Sequence, residues 1–237
     1  MNEAKRLPTL LAHLSRLNGL YEVVVSDGAS EDGTLDVAMG SEFDGRLTLV
    51  EGPRGRARQL NAGAAQSGGE LLLFLHADTL PPLDTAYWVQ RLLRQPGVVA
   101  GAFRTWHVHD ATLERLARSH LGRTDTPEPG GPWWLHLADI RSRYTTLPYG
   151  DQGLFITRER FERAGGFPEQ LLMEDLEFSL RLRNLGQIRT APSCIVVSGR
   201  RFEAHPLLDT CLVNTFPALY RLGVPASRLA NWYRNTR

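Results

Sequence analysis

The sequence predicts an α/β fold with a mostly parallel central sheet and helices on both faces. Three observations carry this expectation. Short apolar runs rich in Val and Leu occur at residues 21–26 and 71–75. Stretches with apolar residues at helical spacing alternate with them. Strand-like runs end in loops such as Asp27-Gly28 and His76-Ala77-Asp78, the arrangement expected where parallel strands deliver polar groups to one edge of a sheet.

The elements follow in order. Residues 4–17 form the first helix and residues 21–26 (YEVVVS) a buried strand. Residues 47–51 read as a second strand, 56–65 as a helix and 71–75 (LLLFL) as another buried strand. A helix at 83–94 precedes one or two strands at 98–107. Residues 122–150 hold a dense Pro/Gly segment followed by Trp133 and Trp134, which reads as a long loop or lid spanning 124–134. A strand at 153–157, a short helix at 158–164 and an amphipathic helix at 174–185 come next. A helical tail at 206–233 is broken near Gly223-Val224-Pro225. The boundaries are a main domain at 1–205, with halves at about 1–105 and 106–205, and a tail at 206–237.

Composition narrows the function. In 237 residues, 42% are hydrophobic, enough for a core, and the net charge is +1, which gives no general electrostatic case for nucleic acid. Lys5 is the only lysine against many arginines, a bias that owes more to base composition of the gene than to phosphate recognition. Cys194 and Cys211 match no zinc or redox spacing and read as reduced thiols. No apolar run is long enough to span a membrane and no leader is apparent, so the expected location is cytoplasmic, with peripheral membrane contact left open.

Four segments can carry chemistry. Asp27, Gly28 and Asp32 lie in a loop after a buried strand, where a carboxylate can meet a nucleobase or ribose, or simply make turns and cap a helix. Arg54, Arg56 and Arg58 surround a helix start, a setting that favours phosphate, although Arg58 reads better as solvated surface. His76 and Asp78 end a buried strand two residues apart, and their oxygen and imidazole donors suit Mn²⁺ or Mg²⁺ shared with substrate phosphates. For His76 a purely structural role competes with ligation. Glu174 and Asp175 open a helix, where carboxylates suit the macrodipole and where one could also serve as a general base.

In that order, Ser26-Asp27-Gly28, Asn61-x-Gly63, Leu75-His76-Ala77-Asp78, Gly165-Gly166-Phe167 and Glu174-Asp175 resemble the family 2 glycosyltransferases of GT-A fold. Gly55-Arg56-Ala57, Tyr149-Gly150-Asp151-Gln152, Met173-Glu174-Asp175 and the tail motifs Leu222-Gly223-Val224 and Leu229-Ala230-Asn231-Trp232-Tyr233 resemble its radical-SAM/selenodomain-associated subgroup. The resemblance covers nearly the whole chain. It implies an inverting transfer of sugar from a nucleotide-diphosphate sugar, UDP-linked ahead of GDP-linked, to an acceptor hydroxyl, with Mn²⁺ or Mg²⁺ as cofactor. It implies that Asp27 reads the base, with Asp32 and Gly28 near it, and that Arg54 and Arg56 lie near the nucleotide. Asp78 would bind the metal, and Asp175 would act as base. His76 stands where the family has an Asp, so its ribose contact does not carry over directly. Asp151, Gln152, Glu174, Trp133 and Trp134 fall on the sugar or acceptor side, and Arg201, within Arg200-Arg201-Phe202, near the diphosphate.

Family members open with a strand ahead of the helix that here begins at Ala4, so the expectation is a sheet lacking its first strand. Two alternatives remain at this point. One is a shortened nucleotide-sugar-binding protein with weak catalysis. The other is a sugar-phosphate nucleotidyltransferase, which would want a Gly-rich, Arg-bearing loop near the N-terminus that this sequence does not have.

Overall fold

The structure is a computed structural model that describes residues 1–19, 22–41, 43–118, 139, 142, 147–200, 202 and 206–235. Trp133, Trp134, Arg201 and the expected lid at 124–134 lie outside the described residues.

The described chain runs α1 (Leu7–Leu14), β1 (Glu22–Asp27), α2 (Thr34–Met39), β2 (Arg46–Glu51), α3 (Arg56–Gln66), β3 (Leu71–Leu73) and β4 (Thr79–Leu80). It continues with α4 (Thr85–Leu93), β5 (Val98–Val108), α5 (Asp110–Arg118), a 3₁₀ turn (Gly150–Gln152), β6 (Phe155–Thr157) and α6 (Arg158–Arg163). Then follow α7 (Glu174–Leu185), β7 (Gln187–Ser198), α8 (Pro206–Arg221) and α9 (Ala226–Asn235). The class is α/β with a helical C-terminal segment, as expected.

The sheet is mixed, which corrects the expectation of a mostly parallel one. β1 and β2 pair in parallel as a separate two-stranded sheet. The other five strands lie in the order β3-β6-β5-β7-β4, in which only β5 and β7 are parallel. The reason is physical: strands covered on both faces are apolar throughout, and such runs look alike in either direction. β7 is a long strand that apolar runs alone do not reveal, because Arg189, Pro192 and Cys194 interrupt it. Its inward residues, Ala191, Ser193, Ile195 and Val197, still alternate.

Successive side chains of β6 go to opposite faces and divide the core. Ile156 packs with Leu72, Phe161, Phe167, Phe178 and Leu182 beneath α3 and α7. Phe155 packs with Phe103, Ile195 and the α4 residues Val89, Leu92 and Leu93. Gly101 on β5 is required by this crossing: a Cβ there would lie 2.2 Å from the Phe155 ring and 3.0 Å from the Arg189 carbonyl oxygen.

Among the described residues β1 pairs only with β2, and β3 only with β6. Val23–Ser26 of β1, Leu71 and Leu73 of β3 and Leu75 just beyond it line one cavity of about 1130 Å³, floored by Leu7, Leu10, Leu11 and Leu14 of α1. Two strand edges therefore face each other across an apolar gap. The start of the chain is fixed at one end of the gap: the N–H groups of Asn2, Glu3 and Ala4 donate to Ser30, Thr34 and Asp32. Among the described residues no helix is long and apolar enough to cross a membrane.

Candidate functional site

The same cavity extends to the polar ends of the strands. There Arg56, His76, Asp78, Asp151, Asp175, His107 and Arg200 line its wall. These side chains come from α3, the β3–β4 connection, the 3₁₀ turn, α7, β5 and the residues after β7. Five of the residues singled out in the sequence are brought together here: Arg56, His76, Asp78, Asp151 and Asp175.

Gly150 is the pivot of the site. Its N–H donates to Asp175 Oδ2 at 2.7 Å. A Cβ at Gly150 would come within 2.6 Å of His76 Nε2 and 3.3 Å of Asp175 Oδ2, so only glycine lets the loop slide between them. Asp175 Oδ1 accepts the Leu176 N–H at 2.7 Å, which fixes the carboxylate on both sides. The residue before the pair, Met173, caps α7 in the left-handed region at φ 65°. A non-glycine residue there stores strain at the start of the helix that bears the two carboxylates.

Electrostatics separate the two neighbouring acids. Glu174 is buried, and burial pushes its carboxyl above the ordinary range; the nearby Asp175 adds to this, and Arg56 opposes it. Arg56 Nη1 donates to Glu174 Oε1 at 3.2 Å while half its side chain remains accessible. His76 is driven down to about 3, first by desolvation and next by the Arg56 cation, so its imidazole is neutral at physiological pH.

Asp78 is one-quarter exposed and accepts from Arg200 Nη2 at 3.1 Å. The same guanidinium holds Glu3 at 2.5 Å, and Arg6 links Glu3 to Asp110. A hard divalent cation bound with substrate phosphates needs only one or two protein carboxylates, and Asp78 with its partly open setting fits that requirement. Among the described residues no group of three or more His, Cys, Asp or Glu side chains is placed to hold a metal ion.

Other predicted residues sit elsewhere. Asp27 is buried, and its carboxylate accepts from the Ser30 N–H at 2.7 Å and from the Ser30 hydroxyl. Asp32 accepts the N–H and hydroxyl of Thr34, the first residue of α2, and also the Ala4 N–H, and these bonds hold its carboxyl below its ordinary value. Gly28 packs against Gln59, whose amide donates to the Ser26 carbonyl at 3.1 Å. Arg54 makes an exposed pair with Glu31, and Arg58 one with Glu169. Gln152 is buried, and its side-chain oxygen accepts the Tyr149 N–H at 3.1 Å. These residues shape the loops around the site without lining the cavity.

Sequence reasoning missed His107 and its partner Asp139. His107 looked like the end of an apolar strand, and Asp139 stands 32 residues away with no motif around it. Only the fold joins them. The tail was also understated, since Leu212, Val213, Phe216 and Pro217 of α8 complete one wall of the cavity.

Comparison with known proteins agrees with this architecture. The chain is 28% identical to the probable glycosyltransferase YdaM of Bacillus subtilis over 185 residues, 73% of this chain and 42% of that protein. Its fold matches the mannosyltransferase PcManGT of Pyrobaculum calidifontis, solved with GDP-Man and Mn²⁺, at a TM-score of 0.63 and 22% identity, covering 95% of this chain and 63% of that one. It also matches S. aureus TarS residues 1–349 in complex with UDP-GlcNAc, at 0.62 and 18% identity, covering 96% of this chain and 66% of that one. A third match is glucosyl-3-phosphoglycerate synthase from Mycobacterium tuberculosis, solved with Mn²⁺, UDP-Glc and phosphoglyceric acid, at 0.58 and 17% identity, covering 95% and 78%. The chain thus spans less than half of the curated relative and under two thirds of PcManGT. The fold is GT-A, and the model of the family described as glycosyl transferase family 2 matches residues 1–163, more than half of the sequence, so the chain belongs to glycosyl transferase family 2.

Proposed function

We propose that the protein transfers a sugar from a nucleotide-diphosphate sugar to an acceptor hydroxyl with inversion, assisted by Mn²⁺ or Mg²⁺. The observation that carries this reading is the convergence of Arg56, His76, Asp78, Asp151 and Asp175 on one cavity. The nucleotide is held by the half at about 1–105, through the loops of Asp27, Gly28, Asp32 and Arg54. Sugar and acceptor meet at the half at 106–205, and the tail at 206–237 closes one side. The expected location is the cytoplasm.

Asp175, oriented by the Gly150 and Leu176 N–H groups, accepts the proton of the acceptor hydroxyl as that oxygen bonds to the anomeric carbon. The bond from that carbon to the diphosphate oxygen breaks on the opposite face, and the pair of electrons leaves with the nucleoside diphosphate. One carboxylate suffices for a single displacement of this kind. Arg56 and Arg200 offer cationic forks to the developing charge. Asp78 would hold the metal, which when bound supplies Lewis-acid stabilisation of the diphosphate. Arg200 must leave Asp78 for that ligand to be free, and the diphosphate offers the guanidinium a new anionic partner.

The test is a thermal-shift screen of UDP- and GDP-sugars with and without Mn²⁺, in the wild type and Asp78→Ala. Binding to the native state raises the melting temperature. The expected result is a shift with one nucleotide-sugar class that grows with Mn²⁺, and loss of the Mn²⁺-dependent part in Asp78→Ala. An equal Mn²⁺ effect in both proteins removes Asp78 as ligand. No shift with any nucleotide sugar overturns the reading.

A further inference from the structure

Asp78 precedes β4, Arg200 follows β7, and both line the cavity together with Glu3. The Ser198 N–H donates to the Asp78 carbonyl at 3.0 Å, one step beyond the paired residues of β4 and β7. The backbones that carry Asp78 and Arg200 are thereby fixed to each other. Glu3 is fixed as well. Its N–H donates to Thr34 Oγ1 at 3.0 Å, and its carbonyl accepts the N–H groups of Arg6 and Leu7 at 2.9 and 3.0 Å. Three charged side chains from distant parts of the sequence meet at preset positions.

The guanidinium holds its two acids unequally. Arg200 Nη2 donates to Glu3 Oε1 at 2.5 Å and Nη1 to Glu3 Oε2 at 3.4 Å, a two-pronged grip. Asp78 Oδ2 receives only Nη2, at 3.1 Å. The Glu3 side chain is 14% exposed and that of Asp78 25%, so water weakens the Asp78 bond more. An arginine between two carboxylates is ordinarily a structural tie. Here the weaker of its two bonds falls on the carboxylate proposed to hold the metal. Two cations on one carboxylate repel each other, so a divalent ion on Asp78 favours release of Arg200. Turning on Glu3, the guanidinium gives up one bond and keeps two. Without that anchor it would be a long side chain free in solvent, and the rotamer entropy lost on rebinding would count against the diphosphate.

We propose that Glu3 is a positioning residue for the diphosphate: it retains Arg200 at the cavity wall while the guanidinium exchanges Asp78 for the diphosphate of the donor. This rests on the reading of the protein as a nucleotide-sugar transferase. Arg200 makes the contact, and Glu3 acts through it.

Two measurements read the two halves of the exchange. One is titration calorimetry with UDP and with GDP in metal-free buffer, repeated with Mn²⁺. The other is paramagnetic resonance of Mn²⁺ titrated without nucleotide. Wild type, Glu3→Gln, Arg200→Met, the double variant and Arg6→Met are compared, each first checked for a native melting transition. Glu3→Gln leaves the backbone bond to Thr34 intact and should weaken diphosphate binding about threefold to tenfold. The sign is diagnostic, because loss of a negative charge from the cavity wall would by itself strengthen binding of an anion. In the Arg200→Met background the same substitution should weaken it no further. Arg200→Met should raise the affinity for Mn²⁺ alone about threefold to tenfold. Arg6→Met, which removes a cation bonded to Glu3 and Asp110, should leave it nearly unchanged.

Diphosphate affinity that is unchanged or higher in a folded Glu3→Gln overturns the proposal. An equal loss in the Arg200→Met background also overturns it, since Glu3 would then act without Arg200. Mn²⁺ affinity unchanged in Arg200→Met, or raised as much in Arg6→Met, removes the exchange at Asp78 and overturns it again. If Arg200→Met fails to fold, Arg200→Gln decides on the same measurements. Wild type that binds neither UDP nor GDP, with or without Mn²⁺, sinks the transferase reading and this proposal with it. That outcome is distinct from wild type that binds a diphosphate while Glu3→Gln leaves its affinity untouched.

Discussion

At the residue scale the proposed base is the sharpest test. Asp175→Asn keeps the shape of the side chain and can still accept the Gly150 N–H, but an amide cannot take a hydroxyl proton. Turnover should fall on the order of 10²–10⁴-fold with donor affinity nearly unchanged. Near-normal turnover with a verified acceptor would remove Asp175 from the chemistry. His76 gives a pH test. Its folded-state value of about 3 lies below the ordinary 6.5, so between those values the unfolded chain binds the extra proton. Its contribution is fully present above about pH 6.5 and is lost as pH falls toward 3. A melting series from pH 7 to 4 should therefore decline less steeply in His76→Asn than in the wild type. Parallel curves would show that the imidazole is not what acid attacks.

Motifs read from the sequence divided at this scale into two kinds. Asn61 and Phe167, from two separate motifs, are bound to each other: the Asn61 amide donates to the Phe167 carbonyl at 2.8 Å and accepts its N–H at 2.9 Å. These motifs are architecture, which one sequence cannot separate from chemistry. Asp78 and Asp175 were legible because each follows or opens an element whose period is plain. His107–Asp139 was not, because contact between distant residues leaves no trace in local spacing.

At the scale of elements, the turn at Gly150–Gln152 and the start of α7 act as one unit. Gly150→Ala inserts a methyl group between His76 and Asp175 and displaces the N–H that orients the carboxylate. Overpacking of this kind costs about 1–3 kcal/mol. A lowered melting temperature together with lost turnover is the expected result; full activity would mean that the loop moves aside freely. Helices and buried strands were largely legible from periodicity. β7 and the strand directions were not, because pairing partners decide them, and the apolar runs of β3 and β5 are compatible with either direction.

At the scale of the whole molecule, the two sheets meet across an apolar gap with β1 and β3 at its edges. Edges of this kind invite a further strand. Asn2–Ala4, tied to the loop of Ser30–Thr34, fix one end of that gap.

The gap also bears on how the molecule comes apart. Leu7 and Leu11 of α1 pack with Ala38 and the β1–β2 pair, whereas Leu10, Leu14 and Leu17 pack with Leu80, Trp106, Val108 and Leu113. One short helix thus belongs to two cores at once. Opening of the β1–β2 unit needs no rupture of the long β5–β7 ladder, so it is a sub-global event of lower free energy than complete unfolding. The loop of Asp27 and Asp32 rides on that unit. A nucleotide held by that loop, as in the proposed function, would add its binding free energy to the stability of the β1–β2 unit, the part of the fold that opens first.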